Sequence, residues 1–161
     1  MQLDDPIQAQ IIAFLDRIGI PVEIEPVSEG SFLPGVTVRR GTLVFDPAHL
    51  PYPGDLLHEA GHIAVTDPAV RNTLEAVSDS PGEEMAAIAW SYAAALEIGI
   101  DPAVVFHDHG YRGAGASILG NFTQGSYFGV PLLDYYGMTA EAKWAEARGV
   151  PAYPVMTRWL R

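Results

Sequence analysis

The chain has 161 residues, 48% of them hydrophobic, which suits one domain with a sizeable core and excludes a disordered or fibrous protein. Its formal net charge is -11, from 20 acidic and 9 basic side chains. Such a surface repels phosphate backbones, which argues against nucleic acid as a partner and favours a basic peptide or protein, although acidity also serves plain solubility. There is no cysteine, so disulfides, thiolate nucleophiles and cysteine metal sites are all excluded, and any metal must use His, Asp or Glu.

The start, Met1-Gln2-Leu3-Asp4-Asp5, is acidic and does not read as a secretory signal. The longest near-apolar stretch, residues 85 to 96, is too short to span a bilayer and includes Ser91 and Tyr92. The expectation is a soluble, cytoplasmic protein without a membrane partner.

Asp5-Pro6 is a helix start, followed by Ile7, Ile11, Phe14, Leu15 and Ile18 at helical spacing up to Gly19. Val22 and Ile24 alternate with Glu23 and Glu25, which predicts a strand that Pro26 keeps short or at an edge. Residues 28 to 34 form a loop. Val36-Thr37-Val38 and Leu43-Val44-Phe45 flank Arg39-Arg40-Gly41-Thr42 in the pattern of a hairpin. Gly54-Asp55 opens a helix to about Val65, stopped by Thr66-Asp67-Pro68. Ser80-Pro81-Gly82-Glu83 starts another that continues to Gly99, and Asp101-Pro102 a short one ending near His107. Residues 110 to 129 are Gly-rich, with room for a short helix around residues 116 to 122. Thr139 is the expected cap of a last helix over residues 140 to 148, closed by Gly149, and the apolar tail 151 to 161 is expected to pack back.

The chemistry is carried by His58-Glu59-Ala60-Gly61-His62. Two histidines four residues apart on a helix present both imidazoles on one face, one turn apart, close enough to share an ion. Glu59 then points beside the metal, where it can hold a water and accept its proton. Two His and a carboxylate suit zinc, and a catalytic site keeps a fourth position open. Leu57, Gly61 and Ala64 share the core-facing spacing of an amphipathic helix. Gly61 lowers helix propensity by about 1 kcal/mol against Ala, which a close backbone approach would explain.

Six residues past His62, where one zincin class places its third ligand, stands Pro68. The next candidates are Glu83 and Glu84. The capping-box reading of Ser80 and Glu83 occupies the Glu83 carboxylate with the cap amide and favours Glu84, with Glu83 as the alternative. His107 and His109 form an H-x-H pair that could ligate a metal. With Tyr111, they are also candidate donors to a transition-state oxyanion. Asp55, Asp67 and Asp101 are candidates to orient the imidazoles.

On these residues the chain resembles the gluzincins. Among them it looks most like the compact bacterial metallopeptidases that include phage-immunity repressor proteases and a radiation-response regulator protease. In that family the HExxH helix is followed by a helix of pattern E-x-x-A-x-x-F-A. Glu84-Met85-Ala86-Ala87-Ile88-Ala89-Trp90-Ser91 is similar, with Ser91 in place of the final Ala. The resemblance covers about residues 20 to 98 and independently points to Glu84. It implies an α+β, zincin-like fold, with a small N-terminal sheet packed on the HExxH helix and on a glutamate-bearing helix. Residues 99 to 161 would be a helical or irregular extension of the same single domain. It also implies bound Zn2+ and peptide-bond hydrolysis with Glu59 as general base. The leucine-and-proline ending of the family's second helix is missing. The competing expectation is a non-catalytic module of the same fold, with the metal as a structural staple.

Overall fold

The computed structural model describes residues 3–161, and among these it is a mixed α+β structure of six α-helices and one three-stranded sheet. The first two residues of the acidic start lie outside the described residues. Helix α1, Pro6–Ile18, begins as its sequence predicts: Asp5 accepts the Ile7 N–H at 2.8 Å, and Gly19 ends the helix in the left-handed region at φ 90°. Its buried side, Ile11, Phe14 and Leu15, enters the core.

Strand β1, Val22–Ile24, pairs parallel with β3, Thr42–Phe45, and β2, Val36–Arg39, pairs antiparallel with β3. The order β1-β3-β2 leaves β1 at an edge, as Pro26 requires, and makes β3 the central strand, with Leu43, Val44 and Phe45 all buried. The register pairs Arg39 with Thr42, so Arg40-Gly41 is a two-residue turn with φ of 50° and 72°. Two successive positive φ values are the requirement of the primed hairpin turns, whose twist matches that of the strands.

Helix α2, Asp55–Val65, packs on β2 and β3 and against α3, Pro81–Ile98. Every residue of α2 is buried, so it is not the amphipathic helix its spacing suggests: the second face is covered as well. Its C-terminal carbonyls are met by guanidinium groups. Arg71 reaches the Ile63 and Thr66 oxygens and Arg161 the Val65 oxygen, all at 3.3 Å. Cations there satisfy orphan acceptors and complement the helix dipole.

The C-terminal third departs from expectation in three places. The Asp101-Pro102 start yields a single 3-10 turn, Pro102–Val104, rather than an α-helix to His107. After α4, Gly115–Thr123, which is close to the helix anticipated in the Gly-rich region, comes an unanticipated α5, Val130–Tyr135. Helix α6 is Ala142–Arg148 and is not capped by Thr139, whose hydroxyl donates instead to the Val155 carbonyl at 2.8 Å. Asp134 at the end of α5 takes over: its carboxylate accepts the Glu141 N–H at 2.8 Å and also pairs with Arg148. The tail packs back as expected, with Trp159 edge-on to Phe14 and Trp90. No helix of the described residues is long and apolar enough to cross a membrane.

Two predictions concern these local devices. Arg40 is held at positive φ with only a 3.7 Å exposed ion pair to Glu75 to lose. Arg40→Asn should therefore raise stability by about 0.5 kcal/mol in a urea melt, because Asn tolerates this turn position far better. Asp134 is buried at its carboxylate, and although that burial raises its pKa, the bonds to Arg148 and the Glu141 amide bring it below the usual carboxylate range. Its stabilisation is thus present above the ordinary carboxylate pKa and lost as pH falls through the depressed one. Asp134→Asn should destabilise by about 1 kcal/mol at pH 7, and the gap to the unaltered protein should close in melts near pH 2.

Candidate metal centre

Helix α2 presents His58 and His62 with ring centroids 5.0 Å apart and the rings nearly perpendicular. Helix α3 brings the Glu84 carboxylate to both. Glu84 Oε1 lies 3.4 Å from His58 Nε2, and Oε2 lies 2.7 Å from His62 Nε2. One ligand atom from each of the three residues falls within 4.8 Å of the others, so the group could hold a metal ion. This convergence depends on Gly61. A Cβ there would stand 2.9 Å from the Ala87 carbonyl oxygen and 3.2 Å from the Trp90 ring, so α3 could not sit where it does. The close backbone approach anticipated from Gly61 is present.

The donor set fits an ion by a second observation. His62 is 2% exposed, yet neither ring nitrogen has a hydrogen-bond partner, despite the short approach of Glu84 to Nε2. The two groups are close but not aligned to share a proton, as expected of ligands aimed at a common point. A tetrahedral ion with bonds of about 2.1 Å sets its ligands roughly 3.4 Å apart. Burial keeps His58 neutral, its pKa lowered to about 4, so that a lone pair is available to a cation. Glu84 is half-buried. Burial raises its carboxyl, but the contact with His62 and the charge of His58 outweigh it and leave a net lowering. Glu59, 5% exposed, has its Oε1 without a partner, 4.0 Å from His58 Nε2. Burial, aided by the negative charges of Glu84 and Asp55, raises its carboxyl to about 7.

No family model, curated protein or solved structure matches the chain. The site therefore stands on its own geometry.

Glu83 contributes no ligand atom to the cluster, although the capping box expected to occupy its carboxylate is only half formed. Ser80 does accept the Glu83 N–H, at 3.5 Å, but the Ser80 amide donates to the Ser78 hydroxyl at 3.1 Å, leaving the Glu83 carboxylate without its capping task. His107 is not in the cluster either: its Nε2 lies 2.8 Å from Asp55 Oδ1, and its ring stacks on Tyr52 at 4.1 Å. His109 is exposed and stacks on the same tyrosine at 5.2 Å. Tyr111 points at a candidate ligand, its hydroxyl 3.0 Å from His58 Nδ1, and burial pushes its phenol well up, so it stays protonated.

None of the three aspartates orients an imidazole ligand. Asp55 serves His107, Asp67 accepts the Ala69 amide at 2.9 Å, and Asp101 accepts the Ala103 amide at 2.9 Å. The side chain that contacts the His58 ring nitrogen is Tyr111, fifty-three positions away, and the Asp55–His107 pair spans fifty-two. Neither contact has a local sequence signature.

Gly61→Ala tests the helix approach. Propensity alone predicts a gain of about 1 kcal/mol. Overpacking against Ala87 should reverse that to a net loss of about 1–3 kcal/mol in chemical denaturation. A stabilised Gly61→Ala protein would mean that the two helices are not in tight contact.

Proposed function

We propose that this protein is a zinc-dependent hydrolase of peptide bonds with a compact zincin-like fold, using His58, His62 and Glu84 as ligands and Glu59 as general base. The observation that carries this reading is the buried, partnerless Glu59 carboxylate oxygen beside a two-His, one-Glu cluster that could hold an ion. A purely structural metal needs no acid at that position. Nitrogen and oxygen donors without cysteine suit zinc, which would supply Lewis acidity and lower the pKa of a water at its open position toward neutrality.

The chain's own residues divide the remaining work. Glu59 has one oxygen free to take a proton and, being excluded from bulk water, can hold it for transfer to a leaving amine. Glu84 keeps its charge and balances the cation. His107 is tied to Asp55 through Nε2 and stacked on Tyr52, which leaves its buried Nδ1 as the one unpartnered ring nitrogen. Tyr111, engaged with His58, is not available to donate to a developing oxyanion. The net charge of -11 favours a basic peptide or protein substrate.

One observation favours a second reading, a metal that staples α2 to α3 without catalysis: α2 is buried along its whole length. A single variant separates the two. Purified protein should carry about one zinc per chain by elemental analysis, and the His58→Ala, His62→Ala double variant none. Glu59→Gln should keep the zinc while cleavage of a fluorogenic peptide library falls by about 10²–10⁴-fold. Zinc in the unaltered protein with no cleavage of any peptide would support the staple, and no zinc at all would remove both readings.

A further inference from the structure

We propose that residues 107 to 115 form a strap that gates access to the metal centre on its His58 side; this rests on the metal-centre reading above. The need for a gate follows from burial. His58, Glu59 and His62 are 8%, 5% and 2% exposed, and of the four site residues Glu84 alone, its side chain 41% exposed, is open to solvent. A general base works within hydrogen-bond reach of the group it serves, so a scissile peptide bond has to come close to the Glu59 carboxylate. A carboxylate this buried does not admit a peptide bond until part of its cover moves. The part of the cover built to move is the strap.

It is a loop with a closed neck. A Cβ on Gly115 would clash with the carbonyl oxygens of Phe106 and His107, so the two ends of the loop touch. His107 anchors the neck through its bond to Asp55 and its stacking on Tyr52. Beyond the neck the backbone bonds within itself: the Gly110, Gly113 and Ala114 amides donate to the His107, Gly110 and Tyr111 carbonyls at 3.2, 3.0 and 3.0 Å. Surface loops closed on themselves in this way are compact units that often carry function. The outer side of the strap, Asp108, His109 and Arg112 to Ala114, is exposed. Its inner side is Tyr111, edge-on to the His58 ring with centroids 5.1 Å apart and with its hydroxyl 3.0 Å from Nδ1. The closed position is strained. Tyr111, Arg112 and Gly113 have φ of 55°, 55° and 84°, three successive residues in the left-handed region, two of them bulky. Such strain persists only while the surroundings hold it, and swinging Tyr111 off His58 would release it. The contact favours closing and the backbone favours opening, which is the balance that a lid over a buried site requires.

The test times zinc uptake by the full chain, and zinc loss to an excess of a chromophoric chelator, for the unaltered protein, Arg112→Asn and Arg112→Val. Arg112 is exposed, so these changes act through the backbone conformation of the strap. Asparagine tolerates the left-handed region and should hold the strap closed, slowing uptake and loss alike by about 3–10-fold; valine, which that region disfavours, should speed both by a similar factor. A gate acts in both directions, so the equilibrium affinity for zinc should stay the same in all three proteins. Unchanged rates in the folded variants would overturn the inference, because ions would then pass by the exposed Glu84. A change in loss alone, with altered affinity, would also overturn it, because the strap would then support the bound ion rather than gate it. Should Arg112→Val fail to fold, Arg112→Asn alone decides. Both of these outcomes leave the metal centre standing, whereas an unaltered protein that binds no zinc would overturn the metal centre and the gate together.

Discussion

The approach of α2 to α3 at Gly61 is the constraint on which the rest of the structure depends. Helices normally pack 8–10 Å apart, with side chains setting the distance. Here the Ala87 backbone and the Trp90 ring occupy the space a Gly61 Cβ would need. Glu84 is in the first turn of α3, three residues before that contact, and its carboxylate is short. Only at this separation does it reach both imidazoles of the neighbouring helix.

Close approach also buries the site, and burial sets its electrostatics. Water is removed from His58 and Glu59, which moves one pKa down to about 4 and the other up to about 7, in each case toward the neutral form. The result is a set of buried polar atoms with too few partners. The buried side-chain atoms without a partner among the described residues are Glu59 Oε1, both nitrogens of His62 and Nδ1 of His107. Each such atom costs about 1–3 kcal/mol if nothing engages it. Native structures carry few of them, and here they gather in and beside one site rather than scattering through the core. A cation between His62 and Glu84 would engage Nε2. It would not engage His62 Nδ1, so the two ligand histidines are not equivalent: His58 has Tyr111 behind it and His62 has no such support.

How far the sequence could be read follows from the range of the interaction involved. Helix α1, the β2–β3 hairpin, α2 and α3 are bounded by contacts between residues one to four apart: Asp5 with Ile7, Arg40-Gly41 at positive φ, Ser80 with Glu83, Gly19 and Gly99 as left-handed caps. The same locality made His58, Glu59 and His62 legible, because their geometry is that of one helix. Glu84 was legible as a pattern, but the capping box invoked for it is incomplete, since Ser78 takes the Ser80 amide. What was not legible was remote. The parallel pairing of β1 with β3 joins residues twenty-one apart, α6 starts where Asp134 of another helix meets the Glu141 amide, and Tyr111 reaches His58 from a strained loop. In each case the residue carries no mark of its partner, so local reading returned a plausible neighbour instead: Thr139 for the cap, an aspartate for the imidazole.

The segment beyond residue 98, for which the resemblance offered no account, is not peripheral to the site. Trp90 of α3 donates its indole N–H to the Trp159 carbonyl at 2.9 Å, and the Tyr153 hydroxyl donates to the Ala89 carbonyl at 2.7 Å. At the end of α2, the Arg161 amide donates to the Ala64 carbonyl at 2.9 Å, while Arg71 bonds both to that helix end and to the Arg161 carbonyl, at 2.6 Å. The tail therefore ties together the two helices that carry His58, His62 and Glu84, through buried or half-buried hydrogen bonds rather than exposed ion pairs. The same segment supplies Tyr111 and His107 from its near end. A core of residues 20 to 98 would keep the three candidate ligands and the Gly61 contact but lose the hydrogen bonds that brace the two helices and the Tyr111 contact to His58. The candidate ligands and the close helix approach lie in the first part of the chain, and much of their bracing in the second.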